Sequence, residues 1–162
     1  EGEAGHQDAI MRTDSVVSTI QTEGIILEKL SYQFANWKRG QAENKMTQLI
    51  NRYGTDIELV ISNNDEMALG AAAAYDALGY PQESRPVILG IDGLDSALEA
   101  VKKGYIQGTV YNDKEGQASR ISGLALDLFR GKILPNSDFE NGRYIFLPYH
   151  KVTADNVDEF LK

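Results

Sequence analysis

The chain has no cysteine, and among its 162 residues it has only four prolines, one tryptophan and two histidines. Without cysteine, disulfides and thiolate metal sites are excluded. That absence is silent on compartment, because an exported protein can do without them. Basic residues are also scarce: 16 Lys and Arg face 24 Asp and Glu, for a formal net charge of -8. No basic patch is present to follow a phosphate backbone, so nucleic-acid binding is not expected. An acidic surface that keeps a soluble protein dispersed accounts for the charge. No run approaches the roughly 18 apolar residues of a membrane span. There are no repeats or low-complexity tracts. The chain starts at Glu1 with no signal-like segment, so a processed or excised chain is expected. Its length fits one domain, or two small halves of something larger.

What the chain does contain is an alternation of helical and strand periods. Apolar residues at Ala9, Met11, Val16, Val17 and Ile20 predict a helix over 8–22, closed by Gly24. Ala42, Met46, Leu49, Ile50 and Tyr53 predict a second over 41–53, stopping at Gly54. The short run IELVIS at 57–62 is β-branched and nearly all apolar, as in a strand covered on both faces. A helix from Asp65 to Leu78 follows, with Gly79 as its C-cap. VILGI at 87–91 and QGTVY at 107–111 read as further strands, each followed by a helix, at 95–103 and about 115–130. A polar connection occupies GKILPNSDFENG, and RYIFLPYHKV is a last strand interrupted at Pro148. Thr153 is placed to cap a short terminal helix. The fold class is α/β with a parallel sheet.

The strand ends carry the functional signal. Asn63, Asn64 and Asp65 follow the first strand, Asp92 the second, and Asn112 and Asp113 the third. In an open parallel sheet the carboxyl ends share one edge, where ligands bind. One Asn or Asp per junction is ordinary helix capping. Doubling at two junctions exceeds that need: Asp65 and Asp113 are placed to cap, leaving Asn64 and Asn112 free to face a ligand. Asn offers donors and an acceptor and Asp accepts, a mixture suited to a neutral ligand with many hydroxyls. Phosphate would call for glycine-rich N–H cradles and Lys or Arg. Upstream, GHQDAIMR sets His6 and Asp8 in a loop before the first helix, with Arg12 one turn in. Asp8 as plain N-cap, with Arg12 as its i,i+4 partner, is an equally weighted reading. Trp37, in a polar linker, is either a half-buried anchor or a face for the C–H patch of a sugar ring.

The stretches GEAGHQDAIMRT, NWKRGQAENKM, IELVISNNDEMALGA, GIDGLDSALEAVKKGYIQGTVYND and LPYHKVTADNVDEF together resemble the bacterial periplasmic sugar-binding proteins, specifically their galactose/glucose-binding branch. The likeness runs in family order across nearly the whole chain, but covers only about the second half of such a protein. It implies a three-layer αβα architecture, type I-like among periplasmic binding proteins, in two lobes joined by three crossing segments. On that template 1–111 is an incomplete C-terminal sugar-binding lobe, 112–147 crosses to a missing N-terminal lobe, and 148–162 returns. The resemblance implies sugar contacts from His6, Asp8, Arg12, Asn64, Asp92 and Asn112, with Trp37 stacking on the pyranose. It also implies calcium in the full-length parent, in a loop before Glu1 with Glu58 as a distant bidentate ligand; no cofactor is required, and this chain alone is not expected to bind metal tightly. Gln7 stands where the family often has proline, which alters loop stiffness and leaves the ligand set intact.

The function so implied is an extracytoplasmic sugar-binding component of an ABC transporter, with D-glucose or D-galactose as ligand. Its partners would be the permease and, in some relatives, a chemoreceptor. Its location would be the periplasm, or the outer face of a Gram-positive cell through a lipid anchor. An enzyme is not expected: no Ser or Cys nucleophile has an adjacent base, and His6 and His150 lack metal-like spacing. Three alternatives stay open: the effector domain of a LacI-type transcription regulator, a binding protein for ribose or another sugar, and a glycosidase using Asp8 and Asp92 as its carboxyl pair.

Overall fold

A computed structural model describes residues 1–133, 135 and 139–161. Five helices form close to the expected spans: α1 (Gln7–Thr22), α2 (Arg39–Tyr53), α3 (Asp65–Ala77), α4 (Asp95–Lys102) and α5 (Lys114–Phe129). The strands are β1 (Leu59–Ile61), β2 (Val87–Leu89), β3 (Gly108–Asn112) and β4 (Tyr149–Thr153). The last strand is thus shorter than RYIFLPYHKV. Pro148 has no N–H to give a ladder, and ahead of it Tyr144 bridges antiparallel to Glu140 across a tight turn. Thr153 does not cap the terminal turn. Its own N–H donates to Asn156 Oδ1, whose Nδ2 donates to the Lys151 carbonyl, and the turn is a 3-10 segment, Val157–Glu159, entered through Asn156. The expected polar connection includes 134 and 136–138, which lie outside the described residues.

The sheet runs in the order β1-β2-β3-β4, and β1 with β2 and β2 with β3 are parallel. A parallel pair needs a crossover; α3 supplies the first and α4 the second. Side chains alternate across a strand, so β2 separates two layers. A Cβ on Gly90 would meet Asp65 and Ala68 of α3, which places Ile88, two residues earlier and fully buried, on the α3 side. Leu89 faces the other way, where it lines an open apolar hollow of about 310 Å³ with Ser15, Val16, Thr19 and Ile20 of α1. Helices therefore lie on both faces of the sheet: a three-layer αβα arrangement. The core gathers on the α3/α4 side around Tyr75, Ile88, Leu98, Val101 and Ile106.

Within the chain, Glu1–Val110 with Lys151–Lys162 form one compact unit and Tyr111–His150 another. These are units of packing; the expected assignment of 1–111, 112–147 and 148–162 to lobes and crossings is a different division. In the second unit, α5 has no buried residue, and Ile121, Leu126, Leu128 and Phe129 are exposed.

The α2–α3 seam depends on one small residue. A Cβ on Gly70 would sit 2.2 Å from the Arg39 carbonyl oxygen and 3.1 Å from Ala42 Cβ. Gly70→Ala forces the helices apart, and the expected destabilisation is about 1–3 kcal/mol, typical of overpacking. Urea denaturation reads it directly; an unchanged midpoint would show that the seam yields freely.

Candidate functional site

The β1–α3 junction, where three polar residues exceed the need for one cap, gives each a separate task. Asn64 is the N-cap of α3: its Oδ1 accepts from Met67 N–H at 3.0 Å, and its Nδ2 donates to the Trp37 carbonyl at 3.4 Å. Asn63 is 1 % exposed. Its Oδ1 accepts from Gly2 N–H at 3.0 Å and its Nδ2 donates to Thr13 Oγ1 at 2.9 Å, tying down the segment before α1 and its first turns. Asp65 is fully buried. Its Oδ2 accepts from the N–H groups of Gly93 and Leu94, both at 2.8 Å, and its Oδ1 from Thr109 Oγ1 at 2.6 Å.

The division of roles expected at this junction is therefore reversed. Asn64, not Asp65, closes the helix, because its backbone is extended (φ -148°, ψ 168°), as an N-cap requires. Asp65 already lies inside the helix and turns its carboxylate away to the next strand end. At the β3–α5 junction the expectation holds: Asp113 caps α5, accepting from Gly116 N–H at 2.9 Å. Asn112 belongs to the second unit and accepts from Gln117 Nε2. At α1 the N-cap is His6, whose Nδ1 accepts from Asp8 N–H at 3.2 Å. Asp8 is an exposed first-turn residue, and Arg12 pairs elsewhere.

That other partner is Asp92. Arg12 Nη1 donates to Asp92 Oδ1 at 3.2 Å and to the Asn63 carbonyl at 2.7 Å. The two side chains keep 22% and 29% of their surface, so the pair is sheltered yet reachable. The Arg12 guanidinium carbon stands 5.9 Å from the Trp37 ring centroid, within cation–π range. The His6 ring meets the indole edge-on at 5.2 Å. Trp37 also packs beside Ala35, Ala42 and Met67 and against Gly2, where a Cβ would come within 2.2 Å of the indole. His6, Arg12, Trp37, Asn64 and Asp92 thus form one connected group.

Two of these residues have unusual backbones: Trp37 has φ 64° and Asp92 φ 131°. L-residues avoid this half of the map, at a cost on the order of 1–3 kcal/mol each. Trp37 is held by the Lys38 N–H donating to the Ala35 carbonyl and by the contact from Asn64. Asp92 is held by its own N–H on the Val110 carbonyl and, one and two residues on, by Asp65.

Glu58 stands exposed just before β1. Among the described residues no three His, Cys, Asp or Glu side chains gather where a metal could sit. Calcium takes six to eight oxygens, so a single carboxylate does not fit it.

Burial pushes the Asp92 carboxyl above its ordinary value; Arg12 draws it back, and the charge of Asp65 pushes it up again. Burial likewise raises Asp65, against the hydrogen bonds from Thr109, Leu94 and Gly93.

Comparison with known proteins matches residues 1–133 to the periplasmic binding protein domain. The D-galactose/methyl-galactoside binding periplasmic protein MglB of Haemophilus influenzae is 37% identical over 165 residues, spanning 100% of this chain and 49% of its own length. A putative rhizopine-binding protein of Rhizobium meliloti is 38% identical over 162 residues, covering 98% of the chain and 49% of its own. Among solved structures, an ABC transporter solute binding protein from Bacillus halodurans with bound myo-inositol superposes with a TM-score of 0.82 at 34% identity, over 99% of this chain and 52% of that one. The chain spans about half the length of the curated relatives it matches.

The Asp92 environment predicts a pH signature. A carboxyl with a raised pKa holds its proton more tightly folded than unfolded, so stability falls as pH rises from the ordinary Asp value of roughly 3.9 to the raised one, then levels. Asp92→Asn removes this component. The stability difference, variant minus parent, should shift in the variant's favour as pH climbs through that window. Urea melts at a series of pH values measure it, and a difference flat with pH would contradict the desolvated carboxylate.

Proposed function

This chain belongs to the periplasmic binding protein family, and on that premise we propose that it supplies one wall of a sugar- or polyol-binding site in the solute-binding component of an ABC importer. The observation that carries this reading is the partly exposed Arg12–Asp92 pair beside the Trp37 ring. Ring hydroxyls each donate and accept. Asp92 offers a second carboxylate oxygen, and Arg12 has N–H groups beyond the one nitrogen that meets Asp92 and Asn63. Each charge-assisted hydrogen bond to a ligand hydroxyl would contribute about 1.5–3 kcal/mol, and an indole face suits the C–H side of a pyranose. His6, Asp8 and Asn64 join the proposed contact set.

D-galactose or D-glucose is the favoured ligand. An indole suits the C–H patch of a six-membered sugar ring, and one relative is named for D-galactose. The myo-inositol bound in the Bacillus halodurans protein is also a hydroxylated six-membered ring. The opposing wall would come from the part of the relatives' length that this chain does not span. Closure of two walls over the sugar would desolvate these hydrogen bonds, and a permease would read the closed form in the periplasm.

Calorimetry of the whole protein with D-galactose, D-glucose, myo-inositol and ribose tests the reading. Galactose or glucose should bind most tightly. A ribose preference would overturn the hexose assignment, and silence towards all four would overturn the polyol site. Asp92→Ala and Trp37→Ala should each weaken binding at least tenfold with the fold retained.

A further inference from the structure

We propose that Asp65, which is fully buried and out of a ligand's reach, is the positioning residue that sets where Asp92 points. The inference rests on the sugar-site reading for its ligand, but its geometry stands independently. Asp92 and Gly93 have consecutive positive φ values, 131° and 73°. A non-glycine residue at φ 131° needs its neighbours fixed. The Asp65 carboxylate fixes them from behind, one oxygen receiving the N–H groups of both Gly93 and Leu94. Its other oxygen is anchored on β3 through Thr109 Oγ1, and its own N–H donates to the Ile91 carbonyl at 2.8 Å. The carboxylate therefore joins the start of α3 to the turn after β2 and to β3.

Gly90 shows that the chain makes room for this acceptor. A Cβ there would lie 2.3 Å from Asp65 Oδ1, so the carboxylate fits only because the strand has no side chain at that point. Four polar hydrogens, the N–H groups of Gly93 and Leu94, the Thr109 hydroxyl and the N–H of Asp65 itself, thus lock the turn that carries Asp92. The next link is Arg12, which bonds Asp92 on one side and lies against Trp37 on the other. If the turn relaxes, Asp92 swings, Arg12 keeps only the Asn63 carbonyl, and Trp37 beside it changes environment.

The test uses the whole protein with Asp65→Ala, Asp65→Asn and Thr109→Val, reading D-galactose and D-glucose affinity by calorimetry and Trp37 fluorescence without ligand. Asp65→Ala should weaken sugar binding at least tenfold and shift the Trp37 emission well below the unfolding temperature. Asp65→Asn, whose amide oxygen can still accept from Gly93 and Leu94 while its amide donates to Thr109, should restore most of both. Thr109→Val, which frees one end of the carboxylate, should weaken binding severalfold and decides the matter should Asp65→Ala not fold. A merely structural role would lower the melting temperature but leave the affinity and emission of the folded variants within twofold and unshifted, and that result overturns the proposal. Absence of sugar binding by the parent would instead overturn the ligand reading; the emission shift in Asp65→Ala would then still decide the positioning role.

Discussion

Three consecutive side chains at the end of β1 hold together segments that are far apart in the chain. Asn63 takes Gly2 and Thr13, Asn64 takes the first turn of α3 and the Trp37 carbonyl, and Asp65 takes Gly93, Leu94 and Thr109. All three are buried. A buried polar group left without its partner costs about 1–3 kcal/mol, so no one of these segments can leave without stranding a donor or acceptor at the centre. The joint makes the loops around it behave as one object, and α1 touches both the Trp37 loop and the Asp92 turn through Arg12.

That rigidity explains how the strained positions persist. Trp37 and Asp92 adopt backbone angles that neither side chain favours. Strain of this kind survives only where surrounding contacts over-determine it. For Trp37 these are the cluster of Ala35, Ala42 and Met67 beneath it, Gly2 against its ring and Asn64 on its carbonyl. For Asp92 they are the sheet hydrogen bond of its own N–H and the carboxylate behind the next two residues. The chain spends stability at the two positions that aim a carboxylate and an aromatic face along the Arg12 side chain.

Much of this was legible in the sequence, and the failures have physical causes. Helices α1 to α4 and the first three strands follow from apolar period and glycine stops, because each packs a face that the pattern records; α5 shows the same period with none of its residues buried. The polar excess at strand ends was visible too. Which residue of a pair caps and which reaches across was not, since Asn and Asp are equally good caps and the choice depends on where extended backbone gives way to helix. Asn63 was missed because its partners, Gly2 and Thr13, are distant in the chain. Gly90 was the available hint for Asp65: a glycine inside an apolar strand run signals close approach by another group. His6 as cap escaped notice because imidazole is an uncommon acceptor there and Asp8 next door looked better.

The burial gradient across the joint separates enclosed side chains from reachable ones. Asn63 and Asp65 have almost no exposed surface; they cannot meet a solute without unfolding their surroundings. Asn64 spends its oxygen on a helix end and its nitrogen on Trp37, so a ligand would find it already committed on one side. Arg12 and Asp92, one layer outward, keep about a quarter of their surface. Their mutual bond holds both in place while leaving donor and acceptor atoms over. A polar ligand must replace water at those atoms, and preorganised partners reduce the ordering cost of doing so. The capping explanation of the strand-end residues is therefore true for the inner layer and insufficient for the outer one. The ends of α1, α3 and α5 are capped without Arg12, Asp92 or the indole, and the strain at Asp92 and Trp37 is held by the Arg12 pair and by the packing around the ring.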